Sequence, residues 1–105
     1  MRNKRGPNKN SSIGIVPSVP WRVCEVRALD SFRLYVRFVD GLEGFVDLSL
    51  LVKGKKAGIF SMLRDPDLFD SVYLNYGAVT WPGEIDLSPD AMYDAIKEHG
   101  EWTIQ

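Results

Sequence analysis

Thiol, imidazole and long apolar runs are all scarce in this chain of 105 residues. Cys24 is the only cysteine and His99 the only histidine. One thiol excludes an intramolecular disulfide framework and a multi-cysteine metal site, and a reducing compartment, the cytoplasm, is expected. His99 falls in the last turn of an expected helix beside Glu98, where a cation is favoured by the helix dipole. No serine or cysteine is placed beside it by any motif, so it reads as a capping or surface residue. Ile13-Gly14-Ile15-Val16 is too short for a signal-peptide core, and no stretch approaches the length of a membrane-spanning helix. A net charge of −1 removes any global field that would favour nucleic acid or an anionic membrane. Lys53-Gly54-Lys55-Lys56-Ala57-Gly58 lacks the Gly-Lys-Ser/Thr ending of a phosphate-binding loop and reads as an ordinary basic loop. Glu84, Asp86, Asp90 and Asp94 match no metal loop and read as a solvated acidic face. No catalytic constellation, cofactor or metal site is expected, so a non-enzymatic protein is.

What the chain does have is alternation. Apolar and polar residues alternate from Phe32 to Phe38, Asp40-Gly41 breaks the run, and Leu42 to Leu48 alternates again, the pattern of two half-buried strands. Loop length decides their register. A two-residue turn sets Phe38 opposite Glu43 and Leu34 opposite Asp47, mixing core and charge on one face. A three-residue loop, Val39-Asp40-Gly41 with Gly41 left-handed, pairs Phe38 with Leu42, Val36 with Gly44, Leu34 with Val46 and Phe32 with Leu48. The other face then carries Arg37 opposite Glu43, Tyr35 opposite Phe45 and Arg33 opposite Asp47. Only the second register keeps the apolar side chains together.

Around this hairpin the remaining segments read in order. Residues 1–19 form a basic tail, expected to be disordered, with Arg2, Lys4, Arg5 and Lys9 and no acid. Residues 20–105 form a single domain. Trp21 to Leu29 is a strand with Cys24, Val26 and Ala28 toward the core and Glu25 and Arg27 away from it. Ser49–Val52 is one helical turn and Ile59–Leu63 another short helical segment. Asp65-Pro66-Asp67 opens a helix with a capping aspartate and a proline at its first position. Val72–Asn75 and Ala78–Trp81 are strands about a turn at Tyr76-Gly77. Ser88-Pro89-Asp90 starts the last helix, with Leu87 and Met92 at the spacing of a hydrophobic staple. Its apolar stripe is Met92, Ala95, Ile96 and His99, and Gly100 stops it. The fold class is α+β: a two-layer arrangement of an antiparallel sheet of about five strands with helices on one face.

Such a fold leaves one sheet face open. On it Tyr35 and Phe45 stand among Arg33, Arg37, Glu43 and Asp47, and aromatics framed by arginines are typical of protein interfaces. Tyr35, Phe45, Arg33 and Arg37 are therefore the candidate partner-binding residues, for a homodimer or a different protein. The alternative is nucleic-acid or anion binding through Arg2, Lys4, Arg5 and Lys9 with Lys53, Lys55 and Lys56. Acids interleaved with the arginines disfavour it. Charge is also divided along the chain, with 12 Lys/Arg against 5 Asp/Glu in residues 1–64 and 1 against 9 in residues 65–105, so the two halves are expected to pair within the fold, the alternative being a surface polarised for a partner.

Several blocks together carry a resemblance. They are Trp21-Arg22-Val23, Phe38-Val39-Asp40-Gly41, Val46-Asp47-Leu48, Leu63-Arg64-Asp65-Pro66 with Phe69, and Trp81-Pro82-Gly83-Glu84-Ile85-Asp86-Leu87-Ser88-Pro89-Asp90 running to Tyr93. Over about residues 20–95 the chain resembles the bacterial domain of unknown function 2442 family. The resemblance implies an α+β domain, often encoded beside another small protein and sometimes fused to a helix-turn-helix domain. That arrangement is reminiscent of toxin–antitoxin pairs, so a neighbouring-gene product is the expected partner. With Trp102-Thr103-Ile104-Gln105 following the last helix, a DNA-binding helix pair is not expected in these 105 residues.

Overall fold

The structure, a computed structural model, describes residues 19–105. The basic tail expected over 1–19 lies outside the described residues except for Val19, and so do Arg2, Lys4, Arg5 and Lys9.

The three-residue loop holds. Strands β2 (Arg33–Phe38) and β3 (Glu43–Asp47) pair antiparallel with Arg33 opposite Asp47, Leu34 opposite Val46, Tyr35 opposite Phe45, Val36 opposite Gly44 and Arg37 opposite Glu43. At the turn the Gly41 N–H donates to the Phe38 carbonyl, and Gly41 sits at φ 96°, where a side chain is strained. The Asp40 carboxylate accepts from the Leu42 N–H at 2.9 Å. Leu34, Val36, Phe38, Val46 and Leu48 are fully buried. Alternation thus sorts the hairpin into one core face and one outer face.

Strand β1 (Val23–Leu29) lies antiparallel against the other side of β2. Its register shifts between Val23, opposite Phe38, and Glu25, opposite Arg37. Cys24 is the extra residue of this bulge. The side chain facing the core is Val23 before the bulge and Val26 and Ala28 after it. Cys24 is consequently exposed, which corrects the expectation that it faces the core. Trp21 precedes the strand and is exposed, and a turn closes as Arg22 N–H donates to the Val19 carbonyl.

The α+β class stands, with the strands distributed over two sheets. Beyond β3, helix α1 (Ser49–Lys53) and a tight 3₁₀ segment, Gly58–Arg64, lead to α2 (Pro66–Phe69). Asp65 caps α2 by accepting from the Asp67 N–H at 3.0 Å. Strands β4 (Tyr73–Asn75), β5 (Ala78–Trp81) and β6 (Ile85–Asp86) form a three-stranded antiparallel sheet. Helix α3 (Pro89–His99) follows and ends at Gly100, left-handed at φ 81°. Ser88 precedes it but makes no side-chain cap; its hydroxyl donates to Asp90 instead. His99 is exposed, near Glu98, and takes no part in the buried stripe of Met92 and Ile96. Strand β7 (Glu101–Thr103) then pairs parallel to β3, giving a second, four-stranded sheet in the order β1-β2-β3-β7. Neither β6 nor β7 is expected from periodicity, since two or three residues are too few to show one.

One core joins both sheets. Leu34, Val36, Phe38, Val46 and Leu48 meet Val79, Trp81, Ile85, Leu87, Met92 and Ile96 in a single buried cluster. Trp81 lies against Phe69 at 5.9 Å between centroids and its indole N–H donates to the Phe69 carbonyl at 2.9 Å. Helix α3 comes so near β3 that a Cβ on Gly44 would stand 2.6 Å from both the Gly100 carbonyl oxygen and Ile96 Cγ2. Tyr93 packs edge-on against Phe38 and its hydroxyl donates to Asp40, tying α3 to the hairpin turn.

Candidate functional site

Among the described residues, the buried cluster lies on one side of the four-stranded sheet. The opposite face is built by strand alternation from Glu25 and Arg27 on β1, Arg33, Tyr35 and Arg37 on β2, and Glu43, Phe45 and Asp47 on β3. Parallel pairing of β7 adds Glu101 beside Phe45 and Thr103 beside Asp47. Phe45 is 43% exposed, high for a phenylalanine, whose apolar area is normally buried. The four candidate residues Tyr35, Phe45, Arg33 and Arg37 are thus brought together on one surface.

The aromatic pair sits at its centre. The Tyr35 and Phe45 rings meet edge-on at 6.2 Å, a favourable geometry for aromatic quadrupoles. Each also carries a guanidinium: Arg27 lies 5.1 Å from the Tyr35 centroid and Arg33 lies 5.8 Å from that of Phe45, within cation–π range. The expected partner of Arg37 was Glu43, directly across β2–β3. Its guanidinium turns instead to β1 and meets Glu25 at 3.0 Å. Glu25 also holds Arg27 at 2.9 Å. Glu43 is left to the Tyr35 hydroxyl, which donates to it at 2.6 Å. A central-strand arginine has a carboxylate on either side, and here the bulge at Cys24 sets Glu25 within reach. Asp47, opposite Arg33, turns to Ser49 and accepts from its N–H at 2.9 Å and its hydroxyl at 2.7 Å.

These contacts bias the titrating groups. The hydrogen bond from Arg37, helped by Arg27, holds the Glu25 carboxyl below its ordinary range. The two Ser49 donors do the same for Asp47. Donation to the Glu43 carboxylate raises the Tyr35 phenol. All three effects favour the charge states drawn here at neutral pH.

The remaining candidates lie elsewhere. The Lys53 ammonium stands over the Phe32 ring at 5.6 Å, while Lys55 and Lys56 are exposed in the following loop. Arg64 crosses that loop, donating to the Val52 carbonyl at 2.8 Å and toward Gly54. Among the described residues no group of histidine, cysteine and carboxylate is placed to hold a metal ion, and no helix is long and apolar enough to cross a membrane. A shallow groove of about 470 Å³ runs along the free edge of β1, between Val26, Ala28 and Leu29 and the segment of Asp70 and Val72. Sequence reasoning missed Glu101 as a member of the open face, because nothing in the sequence marks it as the neighbour of Phe45. Arg27 is read there as an outward residue of the first strand, as found, but is not among the candidate partner-binding residues.

Compared with known proteins, residues 23–98 match the family model described as "Protein of unknown function (DUF2442)". No curated protein and no solved structure matches the chain.

Proposed function

The chain belongs to the DUF2442 family of proteins of unknown function, and from that premise we propose that it is a protein-interaction module. Its contact surface is the open face of the four-stranded sheet. The observation that carries the reading is the Tyr35–Phe45 pair, with Phe45 exposed and Tyr35 half-buried, at the centre of a face that none of the described residues covers and framed by arginines. Aromatic and arginine side chains are the residues most often found at the energetic centre of protein interfaces. Their order here lowers the entropy lost on binding, because each is already held by a neighbour. In the finer form of the proposal the chain is the regulatory, antitoxin-like member of a bacterial, cytoplasmic two-protein pair. The resemblance to proteins encoded beside a second small protein supports that form.

The competing proposal, nucleic-acid binding, rests on Lys53, Lys55 and Lys56 and on tail cations outside the described residues. A gel shift with labelled DNA and RNA at low ionic strength tests it, since phosphate contacts weaken steeply with salt. The test of the main reading is Tyr35→Ala with Phe45→Ala. The variant stays folded, because neither ring belongs to the core, and its affinity for the protein partner falls by more than about 2 kcal/mol. Unchanged binding of every partner by the folded variant defeats the reading.

A further inference from the structure

The identity of a partner can be read from the way charge is arranged on the open face, granted that the face is a protein-contact surface. The sheet has four strands in the order β1-β2-β3-β7, so its midline falls between β2 and β3. On one side of that line stand Arg27, Arg33 and Arg37 with a single carboxylate, Glu25, which is already bound to two of them. On the other side stand Glu43, Asp47 and Glu101, with no cation on the outer face of β3 or β7. The aromatic pair straddles the line, Tyr35 on β2 and Phe45 on β3. The face is therefore split into a basic half and an acidic half of equal width.

We infer that the partner is a second copy of this chain, packed face to face through a two-fold axis that runs along the β2–β3 midline. Rotation about that axis lays β2 of one copy over β3 of the other and β1 over β7. The register within the sheet then fixes what meets what. Arg37 faces Glu43 of the second copy, Arg33 faces its Asp47, and Tyr35 faces its Phe45. Arg27, Tyr35, Phe45 and Glu101 form one row across the sheet, so Arg27 faces the second copy's Glu101. Each contact occurs twice, as a closed two-fold interface requires. The axis keeps the strands of the two sheets aligned, the commonest way for sheets to stack, at about 10 Å separation. A copy slid by one strand loses the match, so the charges select the register as well as the partner. With strands about 4.8 Å apart and about 3.3 Å per residue, the projected footprint is roughly 300 Å² per copy. Taken over both copies that is roughly 600 Å², below the roughly 1,200–2,000 Å² of standard specific interfaces, so the dimer is weak, reversible and dependent on salt.

The experiment compares wild type with two reversal variants by sedimentation over a concentration series into the high micromolar range. In the acidic variant Arg27→Glu and Arg33→Glu make both halves negative. In the basic variant Glu43→Lys and Glu101→Lys make both positive. All four positions are exposed, and circular dichroism checks that each variant is folded. The expected result is a wild-type dimer, a monomer for each variant alone, and a dimer again when the two are mixed in equal amounts. Tyr35→Ala with Phe45→Ala weakens the wild-type dimer by about 30-fold or more, the size of a hot-spot loss. Wild type that stays monomeric at every concentration overturns the inference, and this arm needs no variant to fold. Variants that fail to pair when mixed overturn the two-fold arrangement. If wild type is monomeric yet captures another protein through Tyr35 and Phe45, only the second copy is wrong. If the double-alanine variant keeps every association, the reading of the face fails with it.

Discussion

Arg37 stands directly opposite Glu43 on the neighbouring strand, yet its guanidinium reaches the other way and ion-pairs with Glu25 at 3.0 Å. Arg37 has a carboxylate directly opposite it on each neighbouring strand, so register alone does not decide which one it binds. A double-mutant cycle on Arg37 and Glu25, read by denaturant unfolding, is expected to show a measurable favourable coupling. The cycle on Arg37 and Glu43 is expected to show none in the monomer. The reverse outcome would move the ion pair back across the hairpin.

The same contacts set an acid dependence. Glu25 is lowered from an ordinary 4.5, first by its bond from Arg37, and Asp47 from 3.8, first by the Ser49 N–H. A carboxylate with a lowered folded pKa binds fewer protons folded than unfolded. Its stabilisation is present above the ordinary value and is lost as pH falls through the folded one. Melting temperature should thus decline through and below the range of those ordinary values. In Glu25→Gln that decline is expected to be shallower, and an unchanged slope would remove Glu25 as its source.

Gly44→Ala is expected to destabilise the fold by about 1–3 kcal/mol, the usual cost of overpacking. A methyl there meets the Gly100 carbonyl and Ile96 at 2.6 Å, and a backbone carbonyl does not step aside. At Gly41 a Cβ meets nothing within 4 Å, but φ is 96°. Gly41→Asn should accordingly cost less than Gly41→Val, because asparagine tolerates the left-handed region better, whereas at Gly44 both substitutions are severe. Unfolding midpoints of the five variants check this.

Trp81→Phe removes the only side-chain donor recorded to the buried Phe69 carbonyl among the described residues. Leaving that oxygen unpaired costs about 1–3 kcal/mol, with a further loss from the smaller ring. Urea titration measures the sum, and a variant as stable as wild type would mean that the carbonyl finds another donor.

Cys24, exposed at the bulge, should react with a thiol reagent in native buffer about as fast as in denaturant. A strongly protected thiol would place it back in the core and erase the bulge.

The hairpin was legible because its two strands alternate cleanly and only one loop length keeps Leu34, Val36, Phe38 and Val46 on one face. The outer face followed from the same alternation, which is how Tyr35 and Phe45 were found together. Three things were hidden. A bulge changes which residues face inward without disturbing the residue pattern that betrays a strand, so Cys24, Val26 and Ala28 read as one face. Partner choice among charges depends on how far a long side chain can swing, and Arg37 had two carboxylates in range. Strand β7 carries only three residues and pairs with β3 from far along the chain, so no local signal announces it, and Glu101 went unseen with it.

That distant pairing has a consequence for how the protein is made. The β3 residues from Phe45 to Asp47 wait for Glu101 to Thr103, 56 residues later in synthesis. At roughly 5–20 residues per second, the β3 edge that will receive β7 stays unpaired for several seconds on every nascent chain. An open edge is a template for strand addition, so chains arrested before residue 101 are expected to aggregate more readily than chains that have passed Thr103.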